Sequence, residues 1–416
     1  MNRTVRAGAS ALALTLLVAG CGRGDGESGG DQTSEAVAEG AASGTVEVWA
    51  MGTEGEALGD FVEDFVEDNP DVEVNVTAVP WDAAHDKIAT AIAAGETPDV
   101  SMIGTTWMGE FAATGALDPT PDLIDPSIFF EGAWETTDVG GTNYGVPWYV
   151  ETRVLYYRSD LAAEAPTDWA GLTAMAQEMQ TGGAEWGINL QPGQTGAWQT
   201  FMPFAWQAGA ELVNEDATEF TLDSPELVEA LTAYQSFFTD GLAPTELPQG
   251  SLEPDFMAGR IGSFVSGPWH VGLLEEVDEA GMANVALAPL PAGEQEASFI
   301  GGANLAVFED AQDRDAAWKL VEWLSRPEVQ VEWYDEVNDL PAVTSAWDDP
   351  SIADDPYLPV FGEQLETAVA PPSIPTWEEV ASVIDTELER LCKSGADPQE
   401  VATTIQEQAA SIGTGL

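Results

Sequence analysis

The chain has 416 residues, enough for two ordinary domains, and 44% of them are hydrophobic, which excludes an intrinsically disordered protein. Asp and Glu number 73 against 12 Lys and Arg, a formal charge of −61, which excludes nucleic acid and anionic membrane surfaces as partners because both need clustered cations. Only Lys87, Lys319 and Lys393 are lysines, and so acidic a chain suits a salt-rich medium that screens its self-repulsion.

Residues 1–20 read as a lipoprotein signal peptide. Arg3 and Arg6 precede the apolar run Ala11 to Val18, which is too short to span a membrane stably. Leu17-Val18-Ala19-Gly20-Cys21 looks like the lipobox of bacterial lipoproteins, so Cys21 is expected to carry lipid after cleavage. Residues 21–44, rich in Gly, Ser, Glu and Ala, read as a flexible tether. A lipidated Cys21 leaves Cys392 without a disulfide partner, and Leu388 and Leu391 beside it mark it as a small core residue. The protein is therefore expected outside the cytoplasm, anchored to the outer face of the cell membrane.

From Thr45 the pattern alternates strand and helix. Val46 and Val48 show period two in a strand that ends near Gly52. Phe61, Val62, Phe65 and Val66 share one helical face, and Asn69-Pro70 stops that helix. Val72, Val74 and Val76 alternate as a second strand. Asp82 to Ala94 reads as a helix ended near Gly95, and Asp99 to Ile103 as a third strand. This β-α-β-α-β series predicts a mostly parallel sheet with helices on both faces and a ligand at the carboxyl ends of its strands. Further on, Leu227, Leu231, Tyr234 and Phe238 make a helical face; Leu305 to Phe308 is a strand, followed by a helix from Asp315 to Ser325 stopped by Pro327. Two helices close the chain, the second opened by the cap and first-turn pair Asp397-Pro398.

Catalytic constellations are scarce. His85 and His270 are the only histidines, so neither a His-rich metal site nor a cysteine cluster is available, and no cofactor loop is present. With 73 acids, a glycosidase-like carboxylate pair arises by chance and proves nothing. The positive signal is tryptophan, with 15 in the chain. Trp49, Trp318, Trp323 and Trp333 sit in strand or helix patterns and read as packing. Trp81, Trp107 and Trp269 follow strand ends or a Gly-Pro turn, beside polar groups. A ring stacks on the apolar face of a sugar while a carboxylate or guanidinium takes its hydroxyls. His85 reads equally as a helix-face hydrogen-bonding residue or a ligand contact. Arg153 reads equally as a ligand contact or the partner of an acid across a hinge.

Several segments resemble one family in order and spacing. They are Pro80-Trp81-Asp82, Ala91 to Val100, Gly104-Thr105-Thr106-Trp107, Tyr144 to Arg153 with Leu155 to Leu161, Gly267-Pro268-Trp269, Gly301 to Ala306, and Leu340-Pro341. Together they are similar to extracellular solute-binding proteins of family 1, the maltose-binding-protein-like sugar-binding lipoproteins of bacterial ABC importers. The resemblance implies an α/β, two-lobed periplasmic-binding-protein fold of type II, each lobe a mostly parallel sheet flanked by helices. It places a first lobe at 45–150 plus 300–343 and a second at 155–297 plus 348–416, with crossings at 149–155, 298–302 and 341–347.

The resemblance also implies a monomer that closes on a mono- or oligosaccharide and delivers it to membrane permease subunits, without catalysis, metal or cofactor. Implied ligand contacts are Glu54, Glu56, Trp81, Asp82 and Trp107 from the first lobe, Glu151 and Arg153 from a crossing, Trp206 and Trp269 from the second lobe, and Gly301, Gly302 and Asn304 at the second crossing. A secreted glycoside hydrolase and a binding protein for a non-sugar ligand are the alternatives.

Overall fold

The computed structural model describes residues 35–416; the signal peptide and Cys21 lie outside the described residues. Twelve strands follow in chain order: β1 (Ser43–Met51), β2 (Asp71–Val79), β3 (Val100–Gly104), β4 (Asp138–Val139), β5 (Thr142–Asn143), β6 (Val146–Thr152), β7 (Val154–Arg158), β8 (Ser263–Ser266), β9 (Val285–Ala288), β10 (Ser298–Val307), β11 (Leu340–Pro341) and β12 (Ala368–Val369). They form a seven-stranded sheet ordered β11-β6-β10-β3-β1-β2 with β12 on β10, a three-stranded sheet ordered β8-β7-β9, and the hairpin β4-β5. The two larger sheets head the two lobes of an α/β protein.

Strand β1 buries Val46, Val48 and Ala50 and turns Glu47 outward, where Asn75 of β2 donates to its carboxylate at 2.8 Å. Strand β3, enclosed between β1 and β10, is buried along its whole length. Asp99 ties its start down by accepting from the backbone N–H groups of Glu47 and Gln312 at 2.8 and 2.7 Å. The helix Arg314–Leu324 is fixed to this lobe through Asp118, which accepts from Arg314 Nε at 2.7 Å and Trp318 Nε1 at 2.6 Å. Pro327 does end that helix, but as the first residue of the next one, Pro327–Val337, where its missing N–H costs nothing. Asn338 caps this second helix in the left-handed region at φ 62°, and the turn delivers Asp339 and β11. The expected Asp397 cap is present, accepting from Gln399 and Glu400 N–H. Cys392 is buried among apolar side chains of the second lobe, which push its thiol up to about 12.

Strand directions are more mixed than the expected mostly parallel sheets. In the large sheet β1-β2 and β1-β3 are parallel, whereas β10-β3, β10-β6 and β11-β6 are antiparallel. In the small sheet β7 is antiparallel to both neighbours. The crossings are the reason. A strand that enters a lobe from the other lobe starts at the cleft and runs outward, against strands that finish there. Strand β7 continues β6 after only Arg153, so it runs against β8 and β9, whose carboxyl ends return to the crossing.

At the second crossing Gly302 sits at φ +118°, where a Cβ would strike the backbone of Tyr149. Its pairing partner is Val150, and the ladder slips between Ala303 and Asn304, a bulge that bends β10 against β6. Replacing Gly302 by Ala is expected to cost about 2–3 kcal/mol, the combined strain of a disallowed φ and a backbone clash. Chemical denaturation would register this as a lower midpoint; an unchanged midpoint would mean that the crossing relaxes freely.

Candidate ligand-binding cleft

Because β1, β2 and β3 run parallel, their carboxyl ends share one edge of the first lobe. The helix Trp81–Ala94 starts right after β2, and a short turn at Thr105–Trp107 follows β3. Trp81 and Trp107 therefore meet, ring centroids 5.7 Å apart and edge to face. Gly52 makes room for them, since a Cβ there would lie 3.0 Å from the Trp81 ring. Trp81 keeps 38% of its surface exposed despite its size. His85, one turn along, packs edge-on to Trp107 at 5.2 Å and bonds Glu110 Oε2 through Nε2 at 2.9 Å. The histidine thus braces Trp107. Asp82 is exposed at the start of the helix, and Glu56 is exposed on the helix Gly52–Phe61.

The crossing strand supplies the floor. Alternation along it turns Tyr149 and Glu151 to one side, with Arg153 next in the series. Arg153 is buried, donates to Gln199 Oε1 at 2.7 Å, and has Glu151 Oε1 at 3.4 Å. Its guanidinium also lies 4.8 Å from the ring centroid of Trp269 and 5.0 Å from that of Phe299. One group, Nη1, has no hydrogen-bond acceptor among the described residues. A buried guanidinium left one bond short is costly in itself and well suited to a hydroxylated ligand. Trp269, 43% exposed at the head of the helix Trp269–Asp278, covers this guanidinium from the second lobe.

Two further carboxyls converge on Tyr149. Burial raises the pKa of Glu54, against hydrogen bonds from its backbone and from Tyr149. Asp339 is raised well above the usual carboxylate range, first by burial and then by the charges of Glu54 and Glu151, although Trp333 Nε1 donates to it at 3.1 Å. Tyr149 is itself held well above its ordinary value by burial, then by Asp339, Glu54 and Glu151. A cavity of about 600 Å³ opens here, lined by Tyr149, Glu151 and Asp339 with Trp269, Tyr334 and Tyr357. It combines flat rings with carboxyl groups, which accept when ionised and also donate when protonated, and suits a molecule rich in hydroxyls.

Not every residue expected at the site is brought there. Trp206 is buried in the second-lobe core within the helix Trp198–Gln207, which is apolar almost all round. Asn304 is fully buried mid-sheet, its amide paired with Thr136 Oγ1 at 3.0 Å. Gly301 and Gly302 admit close packing: a Cβ on Gly301 would reach Glu151 Oε1 at 2.9 Å, and one on Gly302 the Tyr149 backbone. Their role is to seat the crossing strands. Tyr149, Gln199, Tyr334 and Asp339 were absent from the expected set. Tyr149, inside the segment Tyr144 to Arg153, and Asp339, directly before Leu340-Pro341, had a signal in the sequence.

Two α/β lobes, crossed by strands that carry the cleft floor, define a solute-binding protein. Residues 50–331 match the family model described as bacterial extracellular solute-binding protein, and the chain belongs to that family. The sugar-binding protein MalE of Xanthomonas citri is 33% identical, with a TM-score of 0.84 over 89% of this chain and 97% of that one. A maltotriose-binding protein of Pyrococcus abyssi is 26% identical over 389 residues, 88% of this chain and 82% of its own length. A maltooligosaccharide ABC transporter solute-binding lipoprotein of Streptococcus pneumoniae is 26% identical over 290 residues, 66% of this chain and 67% of its own.

The raised pKa of Asp339 has a thermodynamic consequence. The native state holds this proton to higher pH than the unfolded chain, so stability falls as pH rises above the ordinary carboxylate range. Asp339→Asn keeps an acceptor for Trp333 and removes the charge. It should raise the melting temperature by about 2 °C at neutral pH and have no effect below about pH 4. An equal gain at both pH values would show that the charge is not its source.

Proposed function

We propose that this chain is the capture component of an ABC-type sugar importer. It takes a mono- or oligosaccharide between its lobes, closes by hinge motion, and presents the closed form to a membrane permease. Lipid on Cys21 would hold it to the outer face of the cell membrane. The observation that carries this reading is the pairing of rings with charged or polar groups on both lobes: exposed Trp81 against half-buried Trp107 at the strand ends of the first lobe, and exposed Trp269 over Arg153 on the second. Glu54, Asp82, Glu151 and Arg153 are assigned to hydroxyls, with Tyr149 and Asp339 added to them. The names of the relatives support a sugar, and they support binding over catalysis.

Closure follows from differential affinity. Moving a two-state protein from mostly open to mostly closed takes about 5.5 kcal/mol of preference for the closed form. Hydrogen bonds to charged groups contribute about 1.5–3 kcal/mol each. Two or three such contacts, made only when both lobes hold the ligand, are sufficient. The glycosidase alternative demands a product, whereas this reading demands none.

Intrinsic fluorescence of the purified chain, titrated with mono- and oligosaccharides in low and molar salt, tests the reading. Saturable change without release of reducing sugar is expected with at least one of them; reducing sugar appearing over time would make the protein an enzyme. Trp269→Ala should weaken that binding by about tenfold or more. Its melting temperature should hold, because the ring is 43% exposed. Unchanged affinity in calorimetry would remove Trp269 from the site.

A further inference from the structure

Trp269 has little packing of its own. It is largely exposed at the head of its helix, so its place depends on the turn 266–270 that carries it. That turn is clamped on both sides of the ring. Before it, the Gly267 carbonyl accepts from the Tyr156 hydroxyl of β7 at 2.7 Å, and a Cβ on Gly267 would strike the indole. After it, His270 Nδ1 lies 2.7 Å from Oγ of Ser266, the last residue of β8, which closes the turn on itself. His270 Nε2 lies 3.3 Å from Glu253 Oε1 on the helix Leu252–Met257. Ser266, His270 and Glu253 have the members of a nucleophilic triad but not its arrangement. The serine meets Nδ1 instead of Nε2, and Ser266 and His270 are only 6% and 8% exposed. Trp269 lines the cleft cavity and His270 does not, so the three residues support the ring from behind.

The two hydrogen bonds fix the state of the histidine. A carboxylate only accepts, so Nε2 carries the proton and donates to Glu253, while Nδ1 accepts from the Ser266 hydroxyl. Phe264 and Tyr156 pack on the imidazole with ring centroids 5.0 and 6.1 Å away. Tyr156 stays neutral, because burial holds it well above its ordinary value. Asp255, the other acid on the Glu253 helix, is taken up by Arg260. Burial pushes the pKa of His270 below the ordinary histidine value, Glu253 pulls it back through its charge and hydrogen bond, and the charge of Arg153 adds to the lowering. A proton on His270 therefore sets a second cation against the guanidinium that Trp269 covers, and draws the imidazole toward Glu253.

We propose that His270 is a positioning residue of the cleft: it holds Trp269 over Arg153, and capture is tight only while its ring is neutral. The inference rests on the reading that Trp269 and Arg153 meet the sugar, and it adds a regulation to that reading, weaker capture on acidification.

Calorimetry with α-1,4- and β-1,4-linked glucans, from disaccharide to hexasaccharide, tests this on the full chain, on His270→Gln and on His270→Leu, between about pH 4 and pH 8. Glu54 and Asp339 also titrate on the acid side of the cleft, so the difference between the parent and His270→Gln isolates the histidine. The chain has two histidines, so the imidazole NMR signal lost in His270→Gln identifies that of His270 and gives its midpoint directly. The parent should lose about tenfold in affinity as His270 takes up its proton. His270→Gln, whose amide still donates to Glu253, should keep the neutral-pH affinity within about threefold and lose that step. His270→Leu, which frees the turn, should bind about tenfold more weakly at every pH, with its melting temperature reporting the fold. A parent profile that overlays that of His270→Gln through the His270 midpoint, or a folded His270→Leu that binds like the parent, would overturn the positioning role and leave the cleft reading standing. Failure of any saccharide to bind at any pH would overturn both.

Discussion

The close approach of Gly302 to Tyr149 is the constraint on which the cleft depends. Strand β10 is the link between lobes and also a central strand of the first-lobe sheet. It can serve both only by bending where it meets β6, and a residue at φ +118° with no Cβ lets it bend. That contact fixes the register of β6, and register decides which way Tyr149 and Glu151 point. Arg153 follows from the same register, one pleat further on, between Trp269 and Phe299. The floor of the cleft is therefore set by backbone geometry, and the side chains inherit their places from it.

Much of this was legible in the sequence, for identifiable reasons. Period two in Val46 and Val48, and the stop signals at Asn69-Pro70 and Gly95, were enough to place β1, β2 and the helix between β2 and β3. Trp81 and Trp107 could be separated from packing tryptophans because each follows a strand end. Strand direction could not be read, since an apolar strand of β7's composition is the same whichever way it runs. Trp206 and Trp269 both lie in aromatic-rich stretches. What separates them is the apolar surround of Trp206, with Phe201, Met202 and Phe204 on the same helix, against the Gly-Pro turn before Trp269. Asp339 had only its place before Leu340-Pro341 to mark it: in a chain with 73 acids, no single acid stands out until the left-handed cap at Asn338 aims it.

The cleft is also where this protein gives up stability. Many acids elsewhere face solvent or take donors, backbone N–H groups for Asp99 and Asp397 and the Arg314 and Trp318 side chains for Asp118. Glu54, Glu151 and Asp339 instead come from three separate segments to the neighbourhood of Tyr149, Glu54 as its hydrogen-bond partner and the other two as nearby charges, and Glu54 and Asp339 are pushed toward the protonated form. Such crowding is unfavourable for folding, and it marks functional sites more often than structural ones.

That crowding bears directly on closure. Carboxyl groups that keep water in an open cleft lose it as the lobes approach, and among the described residues only Trp333 donates to Asp339. Arg153 cannot compensate, because its charge is already shared with Glu151 and its Nη1 lacks an acceptor among the described residues. A closed cleft without ligand would thus hold carboxyl groups short of partners and a donor without an acceptor. A polyol corrects both, giving hydroxyl protons to the carboxylates and an oxygen to Arg153 Nη1. On the sugar-binding reading, the same imbalance that weakens the empty site supplies the differential affinity that closes the filled one, so that closure reports occupancy.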